Sequence, residues 1–215
     1  MYSVVLFDLD GTITDPGMGI TNSVAYALGK YGIHVDKRSD LYRFIGPPLQ
    51  DSFQDYYGFS EEDSRKAVSL YREYYGRTGI FENEVYDGIR EMLISLKASG
   101  KKVVLATSKP ELYALQILQH FELMSYFDRI CGANMDGTRA KKAEVITYAL
   151  QAYPSILPEN AIMIGDREHD IRGAREVGID SIGVTFGYGS REELVSAGAT
   201  YIAESPDQIL SFFSE

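Results

Sequence analysis

The sequence predicts an α/β fold, with a parallel sheet core, helices on both faces, and an all-helical segment inserted after the first strand. Three observations lead there. Residues 4–7, Val-Val-Leu-Phe, form a continuous apolar run, as expected of a strand buried on both faces of a sheet. From Asp87 onward, short apolar runs alternate with stretches of helical period, which implies parallel strands joined by right-handed crossovers. Between these regions, residues 15–84 carry only helical patterning, so the opening strand finds its partners in the later sheet. The expected division is 1–14 with 85–215 for the α/β core, and 15–84 for the helical insert.

The elements follow in order. The first strand stops at Asp8, with Asp10 two places on. In extended chain both carboxylates project the same way, and Gly11 then lets the backbone turn aside. Asp15-Pro16 can open a helix with Ile20, Val24, Ala27, Leu28 and Tyr31 on one face and Gly32 as its stop. Gly46-Pro47-Pro48 leads into a second helix marked by Leu49, Phe53 and Tyr56. Ser60, followed by Glu61, Glu62 and Asp63, reads as an N-cap whose acids suit the helix dipole. That third helix turns Ala67, Leu70, Tyr71 and Tyr74 inward and breaks near Gly76 and Gly79.

In the alternating region a helix over 87–99 ends at Gly100, and a strand over 103–106 ends at Thr107-Ser108-Lys109. A helix follows Pro110 to about residue 121, then a short strand at 129–132 and a helix over 141–152. A strand at 161–164 ends at Gly165-Asp166, and a helix over 168–177 closes at Gly178. A strand at 181–185, a helix at 191–197, a short strand near 201–202 and a helix at 206–213 complete the series.

Composition narrows the function. At 215 residues, 45% of them apolar, the chain can bury one large domain or one domain with a smaller insert. A net charge of -10 argues against a partner that is a nucleic acid polymer or an anionic membrane. A small anionic substrate stays open, because a bound cation and a few local bases reverse the field inside a cleft. The single cysteine, Cys131, lies in an apolar stretch and reads as a small buried hydrophobe. No stretch approaches the ~20 apolar residues of a membrane span, so a soluble, cytoplasmic protein is expected.

In open α/β sheets, ligands bind beyond the carboxyl ends of the strands. Three of the expected strands end in polar groups there: Asp8 with Asp10, Thr107 with Ser108, and Asp166. Asp170 lies in the first turn of the helix after Asp166, where it could equally serve as a first-turn acid. Up to four carboxylates could converge, which is a ligand set for Mg²⁺. A calcium loop is excluded, since the twelfth position counted from Asp8 is Gly19 where a bidentate Glu is required.

DLDGT at 8–12, Thr107 closing an apolar strand, a lysine at the head of helix 141–152, and GDREHD at 165–170 occur in this order. With them the chain resembles the haloacid dehalogenase superfamily, in its phosphatase branch with a helical cap, phosphoglycolate phosphatase-like or 5'-nucleotidase-like. The resemblance implies a Rossmann-like core with an inserted cap, Mg²⁺ as cofactor, and a small phosphorylated metabolite as substrate, in a monomer or homodimer. It casts Asp8 as a nucleophile that forms an aspartyl-phosphate, and Asp10 as the general acid/base. Asp8, the Asp10 backbone carbonyl and Asp166 would hold Mg²⁺, with Asp170 a further ligand, directly or through water.

Thr107 would hydrogen-bond a phosphoryl oxygen, and Ser108 and Gly11 would contribute to phosphate binding. Lys142 would pair with the phosphate and Asp8. Lys141 is adjacent and spacing does not separate the two, although the family pattern places its lysine directly before Ala-Glu-Val-Ile. Arg43 precedes a stretch similar to cap substrate loops and is either a substrate contact or a surface arginine. The cap would close over the leaving group on hinges near Asp15-Pro16 and Glu84. Eight of the 16 tyrosines fall between residues 26 and 75; they form either the core of the bundle or a wall that stacks a nucleobase. A β-phosphoglucomutase-like phosphosugar mutase would share every core motif.

Overall fold

The structure is a computed structural model and describes residues 2–213; positions 1, 214 and 215 of the expected core range lie outside it. The chain divides into two compact units, Met1–Thr14 with Val85–Glu215, and Asp15–Glu84. The path opens on β1 (Val4–Phe7) and crosses between units at β2 (Thr14–Asp15), which pairs with β3 (Glu84–Val85) on the return.

The helical unit holds α1 (Gly17–Gly29), α2 (Leu49–Tyr57) and α3 (Glu61–Tyr75). Pro16 precedes the first helix instead of opening it, and the Asp15 carboxylate accepts the Gly17 N–H at 2.9 Å. Ser60 caps α3 by accepting the Asp63 N–H at 3.0 Å. The residue that α3 buries in its last turn is Tyr75, at 1% exposure, while Tyr74 and Leu70 are half-buried. Tyr74 is held toward the rim because its hydroxyl donates to Glu82 at 3.1 Å. A 3-10 segment, Arg38–Phe44, lies where no helical period was expected. Its buried Leu41 and Phe44 follow a three-residue spacing, the repeat of that tighter helix.

Aromatic side chains fill this unit by packing on one another. The Tyr71 and Tyr75 rings stack at 5.2 Å, Phe44 meets Phe53 at 5.1 Å, and Phe53 stacks on Phe59 at 5.7 Å. Gly19 of α1 is obligatory here: a Cβ would run into the Gly79 carbonyl, so the two backbones touch where any side chain would part them.

The second unit continues with α4 (Ile89–Ala98), β4 (Lys102–Pro110), α5 (Glu111–His120), β5 (Arg129–Ala133) and α6 (Lys142–Leu150). It ends with β6 (Ala161–Gly165), α7 (Glu168–Val177), β7 (Asp180–Val184), α8 (Arg191–Ala197), β8 (Tyr201–Ala203) and α9 (Pro206–Ser211). Six strands form one parallel sheet in the order β5-β4-β1-β6-β7-β8. Val4 and Leu6 face a cluster that includes Val145, Ile146 and Ala149 of α6 and Ala174 of α7. Val5 and Phe7 alternate to the other face and are equally buried, which is why this strand is apolar throughout.

The order of the strands decides where a ligand can sit. From β1 the chain builds β4 and β5 to one side, then crosses back to β6, β7 and β8 on the other. The direction of winding therefore reverses at β1, and such a reversal opens a crevice beyond the carboxyl ends of β1, β4 and β6. Among the described residues, no helix is long and apolar enough to cross a membrane.

Candidate active site

Phe7, the last residue of β1, pairs with Leu105 of β4 and Ile164 of β6, and the Asp8 N–H still donates to the Ile164 carbonyl at 2.9 Å. Asp8 thus leaves the sheet in the crevice, between both neighbouring strand ends. Asp166 follows directly after β6, and Asp170 sits in the first turn of α7. One carboxylate oxygen from each of Asp8, Asp166 and Asp170 lies within 4.8 Å of the others.

Holding three acids together takes specific packing. Gly11, at φ +79°, lies against Asp166, and a Cβ there would be 2.5 Å from the Asp166 Cγ. A loop after β7 closes on the same residue: the Tyr188 N–H donates to Asp166 Oδ2 at 2.8 Å, and a Cβ on Gly187 would be 2.5 Å from the Asp166 Cβ. Asp170 Oδ2 accepts the Arg167 N–H at 3.1 Å, closing the head of α7.

Lys142 is the cation at the centre. Its Nζ lies 2.8 Å from Asp8 Oδ1 and 2.7 Å from Asp170 Oδ1, and donates to the Ala106 carbonyl at 3.2 Å. It reaches inward because α7 offers Gly173, where a Cβ would be 2.9 Å from the Lys142 Cβ and Cγ. Burial works against its charge, but Asp170 and Asp8 outweigh burial and raise its pKa, so it stays an ammonium. Lys141, one residue earlier, is exposed. The structure therefore brings Lys142 to Asp8 and leaves Lys141 in solvent.

Asp10 departs from the expected convergence of four carboxylates. Its side chain is drawn to Lys109, whose Nζ lies 2.5 Å from Asp10 Oδ1 and 2.6 Å from Oδ2. Burial raises the Asp10 pKa, with Lys109 acting in the opposite direction. The sequence carries a signal for Lys109 beyond the residues that the motifs name: it stands two places after Thr107 at the end of an extended strand, and so on the same side. Thr107 is buried at 1% exposure, and its Oγ1 accepts the Lys109 N–H at 3.2 Å, which leaves its own proton for another acceptor. Ser108 is half-buried beside it. Arg43 belongs to the other unit, where it is exposed and stacked 4.4 Å over Tyr56 and 5.5 Å over Tyr57. There, with His34, Asp36 and Asp40, it borders a cavity of about 580 Å³.

The donor set fits a hard divalent cation. All three clustered donors are carboxylate oxygens, and Asp166 Oδ1 is buried with no hydrogen-bond partner. Four carboxylates stand against the two ammonium groups of Lys109 and Lys142, an excess of two negative charges that one such ion would balance. Without it the acids resist ionisation. Burial, then repulsion from Asp170, pushes Asp166 well above the usual carboxylate range. Burial and the charge on Asp8 carry Asp170 to about 6, with Lys142 restraining the rise.

Comparison with known proteins shows the family. A family model described as haloacid dehalogenase-like hydrolase matches residues 5–184. A protein of Pseudomonas aeruginosa named 5'-nucleotidase is 46% identical over 193 residues, covering 90% of this chain and 87% of that one. A Mycobacterium tuberculosis protein named tyrosine-protein kinase PtkA is 37% identical over 203 residues, covering 94% of this chain and 68% of that one. A crystal structure described as a predicted phosphatase from Clostridium acetobutylicum superposes with a TM-score of 0.95 at 50% identity, covering 99% of this chain and 98% of that one.

Proposed function

The chain belongs to the haloacid dehalogenase-like hydrolases and is a phosphatase of that family, and from that membership we propose that it hydrolyses a small phosphomonoester through an aspartyl-phosphate on Asp8, with Mg²⁺ as cofactor. The observation that carries this reading is the pairing of Asp8 with Lys142 beside Asp166 and Asp170. Asp8 keeps 7% of its surface open, while Asp166 and Asp170 are at 0% and 1%. The acid that an incoming phosphate can meet is the one an ammonium already orients.

In the first step an Asp8 oxygen attacks phosphorus while the ester P–O bond breaks. Asp10 gives its proton to the departing oxygen. In the second step Asp10, now a carboxylate, takes a proton from water, whose oxygen attacks phosphorus and frees Asp8 and inorganic phosphate. Lys142 stands where a phosphoryl oxygen and the Asp8 oxygen can share its ammonium, and Thr107 has a hydroxyl proton to donate. Asp8, Asp166, Asp170 and the Asp10 carbonyl would hold the cation, which supplies charge neutralisation for the phosphoryl oxygens. Selection of substrate falls to the helical unit, with Arg43 as its candidate contact.

Within this class we favour a nucleoside 5'-monophosphate over phosphoglycolate, on the strength of the relative named 5'-nucleotidase. A phosphosugar mutase draws no support from the relatives. The test is a panel of phosphomonoesters assayed for released phosphate with and without MgCl₂, with Asp8→Asn as control. Turnover that needs Mg²⁺, vanishes in the variant and requires no bisphosphate activator supports the reading. Equal rates on glycolate and nucleoside phosphates would remove the nucleotide preference, and turnover that survives Asp8→Asn would remove the mechanism.

A further inference from the structure

Two ammonium groups serve the acids of this site, and they divide them: Lys142 stands between Asp8 and Asp170, while Lys109 takes both oxygens of Asp10. We propose that Lys109 is a positioning residue for Asp10, holding the acid/base carboxylate in the orientation from which it meets the leaving-group oxygen. The proposal rests on the reading of Asp10 as the acid/base and adds the group that aims it.

The geometry is built for aiming. A carboxylate rotates broadly about its last torsion. One ammonium at 2.5 and 2.6 Å from the two oxygens removes that freedom. Lys109 is itself fixed, with a side chain only 6% exposed. Its backbone sits in an irregularity of the β4–β5 pairing, where Ala106 pairs with Cys131 and Pro110 with Ala133. The strand β4 thus advances four residues while β5 advances two, and Thr107, Ser108 and Lys109 stand against Gly132 alone. Bulges of this kind re-aim side chains beside active sites. Gly132 of β5 completes the clamp, since a Cβ there would be 2.6 Å from the Lys109 carbonyl oxygen. One turn of chain therefore presents the Thr107 hydroxyl and delivers the Lys109 ammonium to Asp10.

In the step concerned, the Asp10 proton moves to the departing oxygen as the Asp8–phosphorus bond forms and the ester bond breaks. Lys109 then receives the carboxylate left behind. An ester with a poor leaving group depends on that proton, whereas p-nitrophenyl phosphate does not. The experiment measures kcat/KM, which reports the steps through release of the alcohol, for p-nitrophenyl phosphate and for an alkyl ester. The alkyl ester is 2-phosphoglycolate or adenosine 5'-monophosphate, whichever the unaltered enzyme turns over faster.

Lys109→Met should lower the alkyl-to-aryl ratio about 10- to 100-fold, the scale of a misplaced general acid. Asp10→Asn should lower it at least as far, and adding Lys109→Met to Asp10→Asn should lower it no further. Lys109→Arg, which can grip both oxygens, should restore most of the ratio. If the methionine variant does not fold, Lys109→Gln takes its place with the same expectation. A ratio unmoved by the Lys109 variants while Asp10→Asn shifts it overturns the proposal, as do effects that multiply in the double variant. Should Asp10→Asn itself leave the ratio unchanged, the acid/base reading of Asp10 falls first and takes this one with it.

Discussion

Alanine at Gly11 tests whether Asp166 is held in place by packing. The substitution does two things. It forces a side chain into a left-handed backbone, φ +79°, at about 1–2 kcal/mol. It also sets a Cβ 2.5 Å from the Asp166 Cγ, about 1 Å inside ordinary carbon contact. Gly178→Ala is the control, because Gly178 has φ +82° and nothing within 4 Å of its added Cβ. For a chain of this size, 1 kcal/mol moves the melting temperature by about 2–4 °C, so Gly178→Ala should lower Tm by about 2–8 °C. Gly11→Ala should lose that and about 1–3 kcal/mol more, the usual cost of overpacking. Displacing Asp166 by about 1 Å should also cut turnover on the order of 100-fold and raise the Mg²⁺ concentration needed for half-maximal rate. Thermal melts with and without MgCl₂, followed by a magnesium titration of kcat, make the measurement. Equal Tm losses for the two variants, with an unchanged magnesium requirement for Gly11→Ala, would refute the reasoning.

Lys142→Met should abolish measurable phosphate release, while Lys141→Met, at the exposed neighbour, should stay within about twofold of the unaltered rate. Kinetics of the purified pair decide it, and equal losses would unseat Lys142. The raised pKa values of Asp10, Asp166 and Asp170 mean that the folded protein binds protons more tightly than the unfolded chain. In EDTA this site should therefore gain stability as pH falls from 7 toward 5, through the value of about 6 for Asp170. Melting curves should show a larger stabilisation by MgCl₂ at pH 7.5 than at pH 5.5, since protons and the cation compete for the same oxygens; the opposite order would contradict the carboxylate cluster. Phe53→Ala, which removes a fully buried ring from the helical unit, should cost about 3–5 kcal/mol in chemical denaturation.

The parts of the fold legible in the sequence are those where local chemistry and tertiary packing ask for the same thing. The helix at 168–177 and that at 191–197 have the expected ends because glycines in left-handed geometry, Gly178 and Gly198, stop both, and Ser190 caps the second. The approach of Asp8 and Asp166 could be read from strand tips alone, since a parallel sheet delivers every such tip to one edge. What stayed hidden depends on neighbours distant in sequence. Lys141 and Lys142 differ in direction because Gly173, some thirty residues on, leaves room for one of them. The strand spacing sets Lys109 on the side of Thr107, but its reach to Asp10 depends on an irregularity between β4 and β5 that the sequence does not show. Tyr74 and Tyr75 exchange roles because Glu82 draws the first hydroxyl outward. The 3-10 segment at Arg38–Phe44 is too short for its period to stand out.

The position of β1 has a consequence for how the enzyme comes into being. Val4 pairs with Lys102 on one side and Ala161 on the other, so β1 is synthesised before either of the strands it comes to lie between. At about 5–20 residues per second, the wait for Ala161 is on the order of ten seconds. Through that interval the edge of Val4–Phe7 that β6 comes to cover stays open. The three clustered acids come together only once Asp166 and Asp170 have been made, so a chain that stops short of them carries Asp8 and none of the cluster.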